Sequence, residues 1–162
     1  MEIAIIADTH MPRGRRRLPE ACVARLRAAE LILHAGDLMR LEVLDELESY
    51  GTVVAVHGNA DDAEVRAKLP PVTSIDVDGV TIGLVHDAGP AGGRLERLRR
   101  QLPAADAVVF GHSHIPLHER APDGFQIFNP GSPTERRRAP ERTMGIATAQ
   151  RGQVTFELIA VG

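Results

Sequence analysis

The chain contains the sequence Gly111-His112-Ser113-His114 directly after the apolar run Ala107-Val108-Val109-Phe110. Four consecutive apolar residues predict a strand that is buried on both faces. Side chains two residues apart in an extended chain leave on the same face, about 6.5–7 Å apart at Cα. His112 and His114 are therefore expected to point at one small volume, which is a geometry for binding metal.

The same arrangement recurs along the chain. Ile3 to Ala7 is a short apolar strand that ends in Asp8-Thr9-His10, and three further apolar strands are predicted at 31–33, 53–56 and 80–85. Ligands of open α/β sheets bind in the crevice at the carboxyl ends of the strands. The residues of metal-ligand type that follow these five strands are Asp8, His10, Asp37, Asn59, His86, His112 and His114.

The pattern between the strands predicts an α/β fold. Helices are expected over about ten residues from Glu20, from Leu41 to Gly51, from Asp61 or Asp62 to Leu69, and from Arg94 to Leu102. Asp78-Gly79 predicts a hairpin between strands 72–77 and 80–85, so the sheet becomes mixed. Later strands are expected at 115–119, 126–128, 143–149 and 154–159. The economical arrangement is a two-layer mixed β-sheet sandwich flanked by α-helices, as a single domain over residues 1–162.

The composition is that of an ordinary globular protein, with 43% hydrophobic and 25% charged residues in 162. There is no apolar run of the ~20 residues that span a bilayer, and the first residues lack the features of a signal peptide. A cytoplasmic location is therefore expected, without membrane attachment. The net charge of −3 gives no strong case for nucleic-acid binding.

Arginine is concentrated in two clusters, at 13–17 and at 136–138, and Lys68 is the single lysine. Arginine binds phosphate through two parallel hydrogen bonds, although charge runs are also common in solvated loops. Both interpretations stay open for each cluster. The candidates for binding substrate are Arg15, Arg16 and Arg136.

Taken in order, Asp-x-His, Gly-Asp, Gly-Asn, a single His after a strand, and Gly-His-x-His resemble the calcineurin-like metallophosphoesterase superfamily. The compact spacing and the later Asn129-Pro130-Gly131-Ser132 resemble its small bacterial and archaeal phosphodiesterase branch. The resemblance implies that Asp8, His10 and His114 bind one metal ion, that Asn59, His86 and His112 bind a second, and that Asp37 bridges them. It also implies that Asp37, His112 and Asn59 act in catalysis.

These residue types suit a pair of divalent cations on chemical grounds as well. Two ions about 3.5–4 Å apart need a carboxylate between them. Mixed imidazole and carboxylate donors favour Mn²⁺, with Fe, Zn or Ni as alternatives. With two divalent ions, two carboxylates and a bridging hydroxide, the site would keep a net charge of about +1. This positive charge favours the binding of a phosphate ester and of its more negative transition state.

The resulting prediction is a dimetal-dependent phosphoesterase, most simply a phosphodiesterase, in which the bridging hydroxide displaces the leaving group in one step. Many members of the superfamily place a histidine directly after the Gly-Asn asparagine, where this chain has Ala60. Asp87 and His118 are the candidates to replace that histidine as an acid.

The expected partner is a small phosphate ester, and a strand at a sheet edge is compatible with a homo-oligomer.

Two other functions stay open at this point. A non-catalytic protein-interaction scaffold on the same fold is one, because the retromer scaffold subunit resembles these enzymes but has a degraded metal centre. Here all seven donor positions are filled, which favours the enzyme. A nuclease is the other, although the chain shows no basic groove that would hold a duplex.

Overall fold

The computed structural model describes all 162 residues as two five-stranded sheets with helices on their outer faces. The strands are β1 (Glu2–Ile6), β2 (Leu31–His34), β3 (Val53–Ala55), β4 (Val72–Val77), β5 (Val80–Val85), β6 (Ala107–Val109), β7 (Leu117–Arg120), β8 (Gln126–Asn129), β9 (Thr143–Gln150) and β10 (Gln153–Ala160). The helices are α1 (Glu20–Ala28), α2 (Leu41–Glu48), α3 (Ala63–Lys68) and α4 (Arg94–Gln101).

Each sheet is mixed, as predicted. The first has the order β10-β9-β1-β2-β3, with β1, β2 and β3 parallel and β9 antiparallel to β1. The second has the order β4-β5-β6-β8-β7, with β5, β6 and β8 parallel. The expected hairpin joins β4 and β5, and both Asp78 and Gly79 have positive φ, as a two-residue type I′ turn requires.

The core has three apolar layers, because strand side chains alternate between the two faces of a sheet. Ile3 and Ile5 of β1 point between the sheets, where they pack with Ile82 and Val109 of the second sheet. Ala4 and Ile6 face outward and pack under α1, α2 and α3. On the other side, Leu98 of α4 covers the outer face of the second sheet. The predicted sandwich flanked by helices is therefore confirmed.

Two local predictions were wrong. The strand predicted at 115–119 begins later, at Leu117, because Pro116 lacks the amide proton that a ladder needs. Strand β6 ends at Val109, so the following Gly-His-Ser-His is not extended: His112 has φ 71° and His114 has φ 61°. No helix in the structure is both long and apolar enough to cross a membrane.

Candidate dimetal site

All seven predicted donors lie at one edge of the sandwich, where β1, β2, β3, β5 and β6 end. Six of them form two groups, within each of which the ligand atoms lie within 4.8 Å of one another. The first group is Asp8, His10 and His114. The second is Asp37, His86 and His112, and Asn59 lies against it. Each group combines residues that follow strands of both sheets.

Loop geometry, not strand alternation, brings the two histidines of Gly-His-Ser-His to the site. His112 and His114 enter different groups, and both have left-handed backbone conformations, as do Asp8, His10 and Asp37. Non-glycine residues adopt this conformation at a cost, and such strain concentrates at functional sites. The expectation that the two rings share a strand face was therefore wrong, although both reach the same crevice.

The two carboxylates are held in the same way. A backbone N–H of His112 donates to Asp8 Oδ2 at 2.9 Å, and that of Ala60 donates to Asp37 Oδ1 at 2.8 Å. The second oxygen of each carboxylate then faces imidazole nitrogens. Asp37 Oδ2 lies 3.4 Å from His10 Nε2 and 3.2 Å from His86 Nε2, so it reaches both groups.

The contacts of His86 show which of its ring nitrogens is free. Its Nδ1 lies 2.7 Å from the carbonyl oxygen of Ala35, which can only accept, so Nδ1 carries the proton in the neutral ring. The Nε2 lone pair then faces Asn59 Oδ1 at 3.0 Å and Asp37 Oδ2 at 3.2 Å. Electron pairs that face one another in this way repel unless a proton or a cation lies between them.

The first group shows the same pattern. His114 Nδ1 lies 3.2 Å from the carbonyl oxygen of Glu135, and its Nε2 faces His10 Nε2 at 3.2 Å and Asp8 Oδ1 at 3.6 Å. Asp8 is fully buried, and its Oδ1 has no hydrogen-bond partner. A buried carboxylate oxygen without a partner is costly, so this donor set fits a cation.

The pKa values follow from these contacts. Burial lowers the pKa of His86, but its hydrogen bond to Asp37 and the charges of Asp8 and Asp37 outweigh burial and raise the value to about 8. Burial raises the pKa of Asp37, whereas His86 and the Ala60 amide lower it, to about 2. In His114 burial dominates and lowers the pKa. Without metal, a proton on His86 therefore neutralises Asp37.

The glycines of the Gly-Asp and Gly-Asn motifs are needed for close approach. A Cβ at Gly58 would overlap Asp37 Oδ1 and lie 2.7 Å from the His86 ring. A Cβ at Gly36 would lie 2.7 Å from His86 Nδ1, and Gly36 also has φ +96°. Any side chain at these positions would push the second group apart.

Comparisons with known proteins identify the family of this chain. The pattern of the calcineurin-like phosphoesterase superfamily domain matches residues 1–152. The chain belongs to this superfamily. A probable metallophosphoesterase of Methanothermobacter thermautotrophicus (strain Delta H) is 36% identical over 137 residues, which cover 83% of this chain and 78% of the relative.

Two further relatives extend the likeness. A phosphodiesterase of Methanocaldococcus jannaschii is 24% identical over 147 residues, covering 81% of this chain and 83% of the relative. The crystal structure of Vps29 from Entamoeba histolytica complexed with Zn²⁺ has a TM-score of 0.79 at 24% identity, with 100% of both chains covered. The latter likeness shows the fold alone.

One supporting residue in this phosphoesterase domain was not assigned to the site from the sequence. Asp61 is buried, and its carboxylate accepts from the backbone N–H groups of Asp37, Met39 and Gly58 at 3.0, 2.6 and 2.7 Å. The neighbouring Asp62 caps α3 instead, through Val65 N–H. Asp61 thus joins the loops after β2 and β3.

The Asn129-Pro130-Gly131-Ser132 turn and the residues after it support the first group. Ser132 Oγ donates to the carbonyl of Asp8 at 2.8 Å, and Thr134 Oγ1 donates to that of Thr9 at 2.7 Å. Glu135 adds its carboxylate, with Oε2 3.6 Å from His114 Nδ1. A carboxylate behind a ligating histidine fixes the orientation of the ring.

Two other histidines follow the strands without joining the donors. His34 is fully buried: its Nδ1 accepts from Gly36 N–H and its Nε2 contacts Thr9 Oγ1. Burial lowers the pKa of His34 to about 3, so the ring is neutral. His57 is half-buried and lines a cleft beside Asn59 and His86.

The side chains of the three arginines proposed from the sequence to bind substrate make no hydrogen bond or ion pair with a donor residue. Arg15 is exposed, Arg16 Nη2 pairs with Glu135 Oε1 at 3.1 Å, and Arg136 Nη1 donates to the carbonyl of Ala139 at 3.1 Å. Arg137, to which the sequence assigned no separate role, instead donates from Nη1 to the carbonyl of His112 at 3.4 Å.

The two candidates to replace the histidine that is absent at Ala60 lie in different parts of the structure. His118 lies on β7, edge-on to the stacked rings of Phe128 and Phe156; its Nε2 contacts Gln126 Oε1 at 2.8 Å and none of the donor residues. Asp87 follows His86, and its Oδ2 lies 3.9 Å from His112 Nε2. Of the two, Asp87 is the acid next to the site.

Proposed function

We propose that this protein is a dimetal-dependent phosphodiesterase. The observation that carries the proposal is the set of acceptors that face one another around Asp8 Oδ1 and Asp37 Oδ2. Asp8, His10 and His114 would hold one divalent cation, and Asn59, His86 and His112 the other, with Asp37 between them. The mixed nitrogen and oxygen donors, without thiolate, make Mn²⁺ the first ion to test.

When bound, the two cations would acidify a water molecule and bind the phosphoryl oxygens. The chain's own part is to keep the donors fixed. The amides of His112 and Ala60 orient Asp8 and Asp37, while the carbonyls of Ala35 and Glu135 orient His86 and His114. Preorganised donors of this kind need no rearrangement as charge develops on the substrate. Because donors come from both sheets, we infer that residues 1–162 act as one domain.

A cleft beside the second group favours a diester over a monoester. It is a shallow cleft of about 350 Å³, open to solvent, that extends from Asn59, His86 and Asp87 to Arg66 and Gln101. A monoester bound at the cations would leave this space to solvent, whereas the second substituent of a diester would have room there. Its walls mix Pro71 and Val72 with these polar groups, which suits an uncharged organic group.

The experiment is a titration of the metal-stripped protein with Mn²⁺ against bis(4-nitrophenyl) phosphate, 4-nitrophenyl phosphate and an alkyl diester. We expect metal-dependent turnover that saturates at two ions per chain, with the nitrophenyl diester hydrolysed fastest. The alkyl diester should be slower by about 10²–10⁴-fold, because Ala60 offers no side-chain acid to its leaving group. Absence of metal-dependent turnover on every ester would contradict the proposal and leave a binding role for the fold.

A further inference from the structure

Arg137 stands at the rim of the site, close to both donor groups. Its Nη1 donates to the backbone carbonyl of His112, which belongs to the second group, at 3.4 Å. Its charge also acts on His114 of the first group, where it adds to burial in lowering the pKa of the ring. The guanidinium thus lies beside the loop that carries His112 and His114.

The remaining donors of Arg137 are free. Its side chain is exposed and makes one long hydrogen bond, to His112. The arginines around it bond to other residues: Arg16 Nη2 pairs with Glu135 while its buried Nη1 has no partner, and Arg136 Nη1 donates to the carbonyls of Ala139 and Pro140 at 3.1 and 3.4 Å. Of the three, only Arg137 hydrogen-bonds to a residue of the two donor groups.

The loop that carries Arg137 is fastened on both sides. Glu135 N–H donates to Ser132 Oγ at 2.9 Å, and Ala139 N–H donates to the carbonyl of Arg136 at 2.8 Å. Arg137 itself has φ 47°, a left-handed conformation that a long side chain adopts at a cost. Strain held in place by surrounding hydrogen bonds is frequent where a side chain must be aimed at a ligand.

We propose that Arg137 binds the phosphoryl oxygens of the substrate through its guanidinium. The proposal rests on the proposed function and adds a substrate-binding residue to it. Two unused N–H groups of a planar guanidinium match two oxygens of a phosphate. With two divalent ions and two carboxylates in place, a third positive group raises the attraction for an anionic ester.

The experiment measures the binding of inorganic phosphate to the Mn²⁺-loaded protein by calorimetry, for the wild type, Arg137→Met, Arg137→Lys and Arg137→Gly. Arg137→Gly removes the guanidinium while the left-handed backbone becomes more favourable, which separates the side chain from the loop conformation. Arg138→Met is the matched control, because Arg138 is an exposed neighbour. Manganese stoichiometry is measured for each variant.

We expect phosphate to bind about 10- to 100-fold more weakly to Arg137→Met and Arg137→Gly, the usual loss for a hydrogen-bonded charged pair. Arg137→Lys should recover part of the loss, while Arg138→Met binds as the wild type does. All variants should keep two manganese ions. With bis(4-nitrophenyl) phosphate, the loss should fall on kcat/KM and include a raised KM.

Unchanged phosphate affinity in Arg137→Gly would overturn the proposal, as would an equal loss in Arg138→Met. Loss of manganese from the Arg137 variants would also overturn it, since the residue would then support the metal site. If the wild type bound phosphate but hydrolysed no ester, the proposed function would fail, and the affinity difference would still decide the role of Arg137.

Discussion

The two donor groups differ in how far the protein encloses them. Asp8, His10 and His114 are all buried, whereas His112 of the second group has a side chain that is 46% exposed. The two groups also differ in how readily their histidines bind a proton. Burial lowers the pKa of His114, whereas Asp37 and Asp8 raise the pKa of His86 despite its burial. The first group is enclosed and has a neutral His114 ring, whereas in the second group, at the rim, a proton on His86 would compete with a bound cation.

Two ions bound at these groups should therefore not behave alike. An enclosed set of donors is held by its surroundings and binds its ion without rearranging. The second group, at the rim, must lose the proton of His86 when it binds an ion, and water can replace its exposed ligand more easily. We therefore expect tight binding at the first group and weaker, pH-dependent binding at the second.

The largest effect is expected from Asp37→Asn, because Asp37 Oδ2 contacts imidazoles of both groups. The substitution removes the negative charge between the two cations, so kcat/KM should fall by about a thousandfold or more. Isothermal titration should show both manganese affinities reduced. Asp45→Asn, an exposed position on α2, is the matched control, and equal behaviour of the two variants would mean that Asp37 does not bridge.

The second-largest effect is expected from substitutions that distinguish the two donor groups. His114→Gln should abolish binding at the first group, while His112→Gln should weaken only the second ion, by about 10- to 100-fold, since water can replace an exposed ligand. Manganese per chain, measured after dialysis against graded chelator, distinguishes the two variants. Equal losses from both would remove the distinction between an enclosed and a rim site.

The donors were predictable from the sequence because several apolar strands end in ligand-type residues, and the ends of parallel strands meet at one edge. Which donors share a group was not derivable from strand geometry. His112 and His114 reach different groups through left-handed loop conformations that no alternation pattern contains. In the structure Asp8, His10 and His114 lie together, as do Asp37, His86 and His112. That these groups hold metal ions, with Asp37 as a bridge, stays a prediction.

The supporting residues were harder to find. Asp61 looked like a helix cap, because nothing in its neighbourhood indicates that it accepts from amides of the loop at Asp37 and Met39, more than twenty residues away. Arg136 and Arg137 are adjacent and chemically identical in the sequence. Only the turn at 135–139 decides that Arg136 bonds its own loop while Arg137 contacts His112.

A third prediction concerns pH. Because the metal-free His86 has a pKa of about 8, a cation at the second group must displace its proton, and affinity should fall about tenfold per pH unit below 8. In the metal-free protein, the raised pKa of His86 also stabilises the folded state. This contribution is complete below pH 6.5 and is lost as the pH rises through about 8. Calorimetry of Mn²⁺ binding in two buffers of different ionisation enthalpy should detect the proton release at pH 7. Binding of the second ion without proton release would contradict the assignment.

The smallest effect is expected from Glu135→Gln. The backbone carbonyl of Glu135 still accepts from His114 in this variant, so the loss is that of the carboxylate charge, which lies 3.6 Å from Nδ1 and also pairs with Arg16. The affinity for the first ion should fall by about tenfold, at the low end for residues that orient a ligating histidine. Glu141→Gln, an exposed position in the same loop region, should leave it unchanged. A loss confined to the second ion would show that Glu135 acts elsewhere.

The central claim is that the chain holds two cations in two separate donor groups that share Asp37. The most direct measurement is anomalous diffraction from crystals of the metal-stripped protein soaked in Mn²⁺. The account predicts two peaks about 3.5–4 Å apart, one among Asp8, His10 and His114 and the other among Asp37, His86 and His112, with the second weaker at low pH. A single peak, or none at these residues, would contradict it.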